Sequence, residues 1–362
     1  MKRAVSIPIL LLAAVALTGC GADPGTVAPG RPPPEIVFTT DAAGAHHVVP
    51  VRSGAASHDL PAGALAVNLT GGGDVGEAYL VVAQEGRAEV LRILPARAFA
   101  TEIVAVNAGA GEPQAALVPA SQLSHFVGAK TVLVVRSGDG RLTGYQAGTE
   151  VWTVARPLVG GNPVAQLVGL GGAVAVGDGV AAWGVLAPET GEIHAVAGCE
   201  GGPLAAIGEA VVFSCRGELD TVPSLGPAVA VGQLVGVPWV LPTPAGGVLM
   251  VWPGGDFVRL DRRAREVGKG RLPAPNARPA LTPDGARLYV VTDAGILVSD
   301  LATQRTTQLI QETGVDALAL SRDGNFVYAL RAGQLEVFER ATGRRLSSHA
   351  APGIEIELVA GG

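Results

Sequence analysis

Between Thr243 and about Arg345 the alternation of apolar runs and polar breaks is written three times at even spacing, with Thr243, Thr282 and Ser321 at equivalent positions. Thr243-Pro244-Ala245-Gly246, Thr282-Pro283-Asp284-Gly285 and Ser321-Arg322-Asp323-Gly324 are the polar turns of the three copies. Each is followed by an apolar run (Val248 to Trp252, Leu288 to Val291, Val327 to Leu330), a Gly-containing break and a second run ending in Asp261, Asp300 or Glu339. A fixed period near 40 with several short strands per unit predicts an all-β fold, a β-propeller of four-stranded blades. The runs are apolar at consecutive positions, which suits strands covered on both faces by neighbouring blades.

Projected backwards, the same hairpin is expected five more times. Its turn glycines would be Gly44, Gly86, Gly140, Gly179, Gly217, Gly255, Gly295 and Gly333. This predicts eight blades, with seven as the alternative. Ile36-Val37-Phe38 opens a unit without an innermost strand, and Ile354 to Val359 is a strand without a unit. The C-terminal strand is therefore expected to join the N-terminal blade and close the ring, removing two open edges.

The start of the chain reads differently. Lys2 and Arg3, the apolar Ile7 to Leu17 and Leu17-Thr18-Gly19-Cys20 form an export-signal pattern. It resembles the lipobox of bacterial lipoproteins, which implies a signal peptide over 1–19 and lipidation of Cys20. The alternative is an ordinary cleaved signal. Residues 20–34, rich in Pro and Gly, read as a tether, and 35–362 as the propeller domain. Loss of residues 1–19 removes Lys2, Arg3 and no acid, taking the formal net charge from −6 to −8. That balance argues against nucleic acid as a partner. Membrane contact is expected through the N-terminal lipid only.

Of the three cysteines, Cys199 and Cys215 remain after Cys20. Strand order puts both on one face, and an exported compartment favours a Cys199–Cys215 disulfide over two buried free thiols. No metal site is expected: CxxC spacing is absent, and His46 and His47, adjacent in a strand, point to opposite faces. The Asp residues of the Asp-Gly turns are explained by turn chemistry. No catalytic or phosphate-binding motif appears, and no cofactor is expected. Ala187-Pro188-Glu189-Thr190-Gly191 resembles the Thr-Gly turn of quinoprotein blades, but His194-Ala195-Val196 follows where an aromatic belongs.

Pro283-Asp284-Gly285-Ala286-Arg287-Leu288-Tyr289-Val290-Val291, with Ile296 to Thr303 after it, resembles the repeat of the YVTN or lactonase-like bacterial propellers. Asp323-Gly324-Asn325-Phe326-Val327-Tyr328 and Ala341-Thr342-Gly343 write it again. The resemblance implies the propeller fold; family members range from scaffolds to sugar-lactone hydrolases. The expected function is accordingly a lipid-anchored extracytoplasmic propeller that binds a protein or other macromolecule in the cell envelope. The alternative is a lactonase-like hydrolase with its site at the channel mouth. The interval from Gly86 to Gly140 is longer than any other between successive turn glycines. Its excess, Asn107 to Pro113 and Ser121 to Ala129, is the expected partner-contacting segment.

Overall fold

The computed structural model describes residues 35–361 apart from 44–45, 52–57, 60–63, 68–77, 85–86, 95–99, 109–113, 119–131, 147–148, 171–172, 197–201, 208–209, 216–217, 224–228, 234–237 and 322. Among the described residues the first strands are β1 (Glu35–Thr40), β2 (His46–Pro50) and β3 (His58–Asp59). One antiparallel sheet follows, made of β4 (Ala64–Val67), β5 (Ala78–Gln84), β6 (Arg87–Leu94) and β7 (Ala100–Ala108). The next holds β8 (Gln114–Val118), β9 (Val132–Arg136), β10 (Leu142–Gln146) and β11 (Thr149–Val154). A ribbon of β12 (Leu158–Val159) and β13 (Asn162–Pro163) then interrupts the series. After it come β14 (Gln166–Gly169), β15 (Val174–Gly177), β16 (Trp183–Leu186) and β17 (Ile193–Val196). The fifth group is β18 (Pro203–Ile207), β19 (Ala210–Cys215), β20 (Glu218–Pro223) and β21 (Val229–Gln233). The sixth is β22 (Trp239–Pro242), β23 (Val248–Val251), β24 (Asp256–Leu260) and β25 (Glu266–Arg271). The repeats seen in the sequence finish the chain: β26 (Ala280–Leu281), β27 (Arg287–Thr292), β28 (Gly295–Asp300) and β29 (Thr306–Ile310), then β30 (Ala317–Leu320), β31 (Phe326–Arg331), β32 (Gln334–Glu339) and β33 (Arg345–Ala350). The last strand is β34 (Glu355–Gly361).

The arrangement is an all-β propeller, but its blade count departs from the expected eight and from the alternative of seven. Six sheets, β8–β11, β14–β17, β18–β21, β22–β25, β26–β29 and β30–β33, are regular blades of four successive strands, none longer than six residues. The N-terminal third does not reproduce them. The four-stranded β4–β7 sheet widens to the nine-residue β7. The remaining four-stranded sheet, ordered β3-β2-β1-β34, is assembled from both ends of the chain around the two-residue β3. Projecting the period through Gly44 and Gly86 assumes equal units. A turn glycine marks a hairpin, and it does not fix the length or the source of the strands around it.

Burial follows strand position. The second strands β15 and β23 are buried at every residue, and β27 over its four central positions. Most of the outermost β11 and β25 is exposed. Cores lie between blades. One joins Tyr289, Val291 and Ile296 to Leu318, Val327, Ala329 and Phe338 across the β26–β29 and β30–β33 blades. Such consecutive apolar runs give each second strand two buried faces, so burial of every Val or Leu contributes about 1.5–3 kcal/mol.

The repeated turns stack. Gly246, Gly285 and Gly324 have φ of 77°, 69° and 70°, a left-handed conformation that glycine adopts without strain. A Cβ on Gly285 would lie 3.0 Å from Pro244, and one on Gly324 2.7 Å from Pro283. Each turn's proline thus fills the space left by the next turn's missing side chain, which explains why Pro and Gly recur together in the row.

Ring closure is direct. β34 pairs antiparallel with β1, from Glu35 opposite Gly361 to Thr40 opposite Glu355. Thr39 Oγ1 donates to the Pro352 carbonyl (2.8 Å), and the Ile354 amide donates to the Thr40 carbonyl (2.8 Å). At the same seam the Tyr328 hydroxyl donates to Glu35 Oε2 between two fully buried side chains.

Candidate functional site at the channel mouth

Strand order divides the connections between two faces. Turns from an innermost to a second strand, including the Thr/Ser-Pro/Arg-Asp-Gly row, share one face with the third-to-fourth turns. Second-to-third turns and the loops leading into each innermost strand share the other. On the first face the acids are committed to the backbone. Asp284 Oδ1 accepts from Thr282 Oγ1 (2.5 Å) and the Ala286 amide (2.9 Å), and Asp323 Oδ1 from Ser321 Oγ (2.6 Å) and the Asn325 amide (2.9 Å). Asp261 accepts from the Arg265 guanidinium at 2.7 and 2.9 Å and from the Arg263 and Arg265 amides. These bonds hold its carboxyl at a pKa of about 2, the Arg265 side chain contributing most. The acid ending each apolar run is therefore a turn cap.

The opposite face differs. Here the β12–β13 ribbon turns through Gly160 and Gly161, both at positive φ (59° and 88°), as a two-residue hairpin requires. Asn162 Nδ2 donates to Asp178 Oδ2 (2.9 Å), pinning the ribbon to the β15–β16 turn. Asp178 also accepts from the Val180, Ala181 and Ala182 amides, and these bonds lower its pKa to about 2, that of Val180 first. The result is a stiff platform displaying Leu158 (56% exposed) and Val180 (87% exposed). The blade period does not predict it, although Val159-Gly160-Gly161-Asn162 carries the hairpin signal.

Nearer the axis, three consecutive innermost strands begin with charge. Arg278 stands two residues before β26, Asp316 immediately before β30 and Glu355 at the start of β34. All three are exposed. Below them the inner strands present the partly exposed Val240, Ala280, Ala319 and Ile356. The sequence pattern alone suggests apolar inner-strand ends throughout; the charges escape it because two precede their strands. Arg278 Nη2 donates to the Val240 carbonyl of β22 (3.3 Å). Desolvation lowers the Arg278 pKa, opposed by the Glu355 charge. Solvent reaches this guanidinium, yet protein surrounds enough of it to displace part of its hydration.

Further out on this face, Arg331 pairs with Glu312 (2.7 Å) and with buried Glu336 (3.0 Å), which Arg345 also reaches (2.9 Å). Glu336 Oε2 is buried without a hydrogen-bond partner among the described residues. The network ties the β29–β30 loop to the body of its blade.

The other expected site residues are spread or outside the described residues. Cys20 and Cys199 lie outside them. Cys215 ends β19, its backbone opposite Glu218, and its side chain is not among those described. The insertion divides between two connections. Asn107 to Pro113 runs from the end of β7 to the approach to β8, with 109–113 outside the described residues, and Ser121 to Ala129, all outside them, falls between β8 and β9. By strand order these connections belong to opposite faces. Of the histidines, His47 lies 3.3 Å from Asp41, His194 4.0 Å from Glu192 and His349 3.1 Å from Ser347 Oγ. Among the described residues no three His, Cys, Asp or Glu side chains gather as a metal site. The quinoprotein-like segment is a turn whose Gly191 (φ 76°) packs under Trp152, and Trp152 Nε1 donates to the Pro188 carbonyl (2.7 Å).

No protein-family model matches the sequence. No curated protein matches it either. Solved structures do. AztD from Citrobacter koseri superposes with a TM-score of 0.53 at 12% identity, over 90% of this chain and 96% of that one. The dihydro-heme d1 dehydrogenase NirN, solved in complex with DHE, gives 0.57 at 14% identity, over 92% of this chain and 76% of that one. The computationally designed Ika8 protein gives 0.50 at 17% identity, over 77% of this chain and 86% of that one. At these identities the likeness shows the propeller fold alone. None of these three likenesses shows membership of the YVTN or lactonase-like family.

Proposed function

We propose that this chain is an exported, lipid-anchored propeller that binds a macromolecular partner in the cell envelope, through the face bearing the β12–β13 ribbon. The observation carrying this reading is the pinned ribbon with exposed Leu158 and Val180. Rigid display of apolar side chains reduces the ordering cost of association. Export and anchoring rest on the Leu17-Thr18-Gly19-Cys20 pattern, with residues 20–34 as the tether. A Cys199–Cys215 disulfide would stiffen the same face, since β17-to-β18 and β19-to-β20 connections both belong to it. The connection from β7 to β8, in which Asn107 begins the first half of the insertion, belongs to that face by strand order.

The hydrolase alternative draws on the Arg278, Asp316 and Glu355 set. Among the described residues none of the three is within ion-pair distance of another, and His47, His194 and His349 each lie against a partner elsewhere, which supports binding over acid–base catalysis.

Photocrosslinking from positions 158 and 180 in the producing cell tests the reading. A captured band that disappears in a Leu158→Ser, Val180→Ser variant of unchanged melting temperature is expected. An unchanged band in that folded variant would move the surface elsewhere. Cys20→Ala should abolish detergent-phase partitioning, and the denatured, unreduced protein should label at no free thiol of Cys199 or Cys215. Lactone hydrolysis abolished by Glu355→Gln would establish the alternative.

A further inference from the structure

The three C-terminal blades sort their arginines by face. The connections from third to fourth strands, β24 to β25, β28 to β29 and β32 to β33, all lie on the Asp-Gly face. They carry Arg262 and Arg263 in the first, Arg305 in the second and Arg344 in the third, every one exposed. Among the described residues Arg262, Arg263 and Arg305 make no ion pair, and Arg344 reaches Glu339 only at 3.9 Å. The acids of these turns are occupied from within. Asp261 holds the Arg265 guanidinium and two turn amides, Asp300 Oδ1 accepts from the Ala302 and Thr303 amides and the Thr303 hydroxyl, and Glu339 Oε2 accepts from Thr342 Oγ1 (2.6 Å). On the opposite face Arg271 lies 4.0 Å from Asp256 and Arg331 2.7 Å from Glu312, and the further acids Asp293, Asp316 and Glu355 accompany Arg278. The outward-facing cations therefore collect on the Asp-Gly side. The formal net charge of −6 does not cancel them, because screening at physiological salt confines the field of each exposed charge to about 8 Å.

The point of entry agrees with the charge. Glu35 opens β1 and stands opposite Gly361, where the innermost β34 ends. Innermost strands end on the Asp-Gly face, so the chain enters the propeller there. In the lipid-anchored reading, residues 20–34 join Glu35 to the bilayer over at most about 50 Å, at about 3.3–3.6 Å per residue.

We propose that the Asp-Gly face of the three C-terminal blades docks on anionic lipid headgroups of the membrane that holds the anchor, with Arg262, Arg263, Arg305 and Arg344 meeting the phosphates. A guanidinium takes phosphate oxygens through paired N–H bonds, and each cation near an anionic surface strengthens adsorption about fivefold. Docking in this orientation rests on the lipid-anchored reading and adds a second membrane contact to the N-terminal lipid. It presents the ribbon face away from the bilayer, where a partner can reach it.

Co-sedimentation of the unlipidated full chain with vesicles of phosphatidylcholine, with and without phosphatidylglycerol, tests it. Binding is expected to be at least about tenfold tighter with the anionic lipid and to weaken as salt is raised. Arg262→Gln, Arg263→Gln and Arg305→Gln together should cost at least about tenfold on anionic vesicles. Arg141→Gln with Arg271→Gln, on the opposite face, should leave binding unchanged. Every variant carries the same N-terminal segment, so differences among them report on the faces. Melting curves check folding, and the exposed positions should tolerate the changes. No preference for anionic vesicles in the parent, a preference retained in the folded triple variant, or an equal loss from the opposite-face variant would each overturn the proposal. Cys20→Ala should leave this adsorption unchanged; its loss there would assign the contact to the N-terminal segment and also overturn the proposal. Detergent-phase partitioning retained by Cys20→Ala would instead refute the anchor, while the arginine contrast still decides the docking face.

Discussion

Tyr328→Phe isolates the polar link at the ring seam. The hydroxyl donates to Glu35, 293 positions away in the sequence, and both side chains are about 1% exposed or less. Burial and the neighbouring Glu35 carboxylate raise the phenol pKa far above its ordinary range, so at any working pH it is a donor. A hydrogen bond to a charged group contributes about 1.5–3 kcal/mol, and its loss leaves the carboxylate less well satisfied. For roughly 330 folded residues at about 2.1 cal/mol/K each, the unfolding entropy is near 0.7 kcal/mol/K, so the melting temperature should fall by about 2–4 °C. The repeat supplies an internal control. Tyr289 occupies the equivalent position of the preceding unit, is equally buried, and makes no hydrogen bond through its hydroxyl among the described residues. Tyr289→Phe should change the melting temperature by less than about 1 °C. Calorimetry of the two variants decides the matter: equal shifts would mean that the Glu35 link does not hold the seam.

Deleting residues 354–362 removes β34 and its six paired positions on β1, which at about 1 kcal/mol per hydrogen bond should lower the melting temperature by about 5 °C or more; a change within about 1–2 °C would refute closure by this strand. Gly255→Ala forces a side chain into a left-handed position (φ 90°) with its Cβ 2.2 Å from the Leu272 carbonyl, so chemical denaturation should show a loss of at least about 1–2 kcal/mol. Asp178 and Asp261 have folded pKa values of about 2, below the ordinary carboxylate value of 3.8. Their contribution is present above pH 3.8 and is lost as pH falls toward 2, so urea midpoints should decline across that window, and less steeply for Asp261→Asn.

The legible part of the fold was the part with a strict period. From Thr243 onward every turn, strand and capping acid repeats, because each unit meets the same neighbour on each side and the same side chains solve the same packing problem. Tyr289 and Tyr328, Gly285 and Gly324, Asp284 and Asp323 are pairs of that kind. Upstream the rule loosens. The β4–β7 sheet grows longer strands, and the β12–β13 ribbon has no counterpart in other blades among the described residues, so period alone misjudges how many regular blades the chain holds. The C-terminal strand was legible as an orphan run, since a strand without a partner is costly and closure relieves it. The mouth charges were hidden because Arg278 and Asp316 sit in loops, where no apolar pattern fixes position.

The two faces divide the polar residues by purpose. On the Asp-Gly face, Asp284, Asp300 and Asp323 spend their oxygens on amides and hydroxyls of their own turn, and Asp261 on the amides and the Arg265 guanidinium of its turn, leaving little capacity for a ligand. On the other face Asp178 does the same work, but for a ribbon absent from a minimal blade, and Arg278, Asp316 and Glu355 are largely spared it. Charges that make no ion pair within the protein contribute little to stability at an exposed mouth. Replacing any one of these three charges should therefore cost the ring less stability than replacing a turn acid such as Asp261.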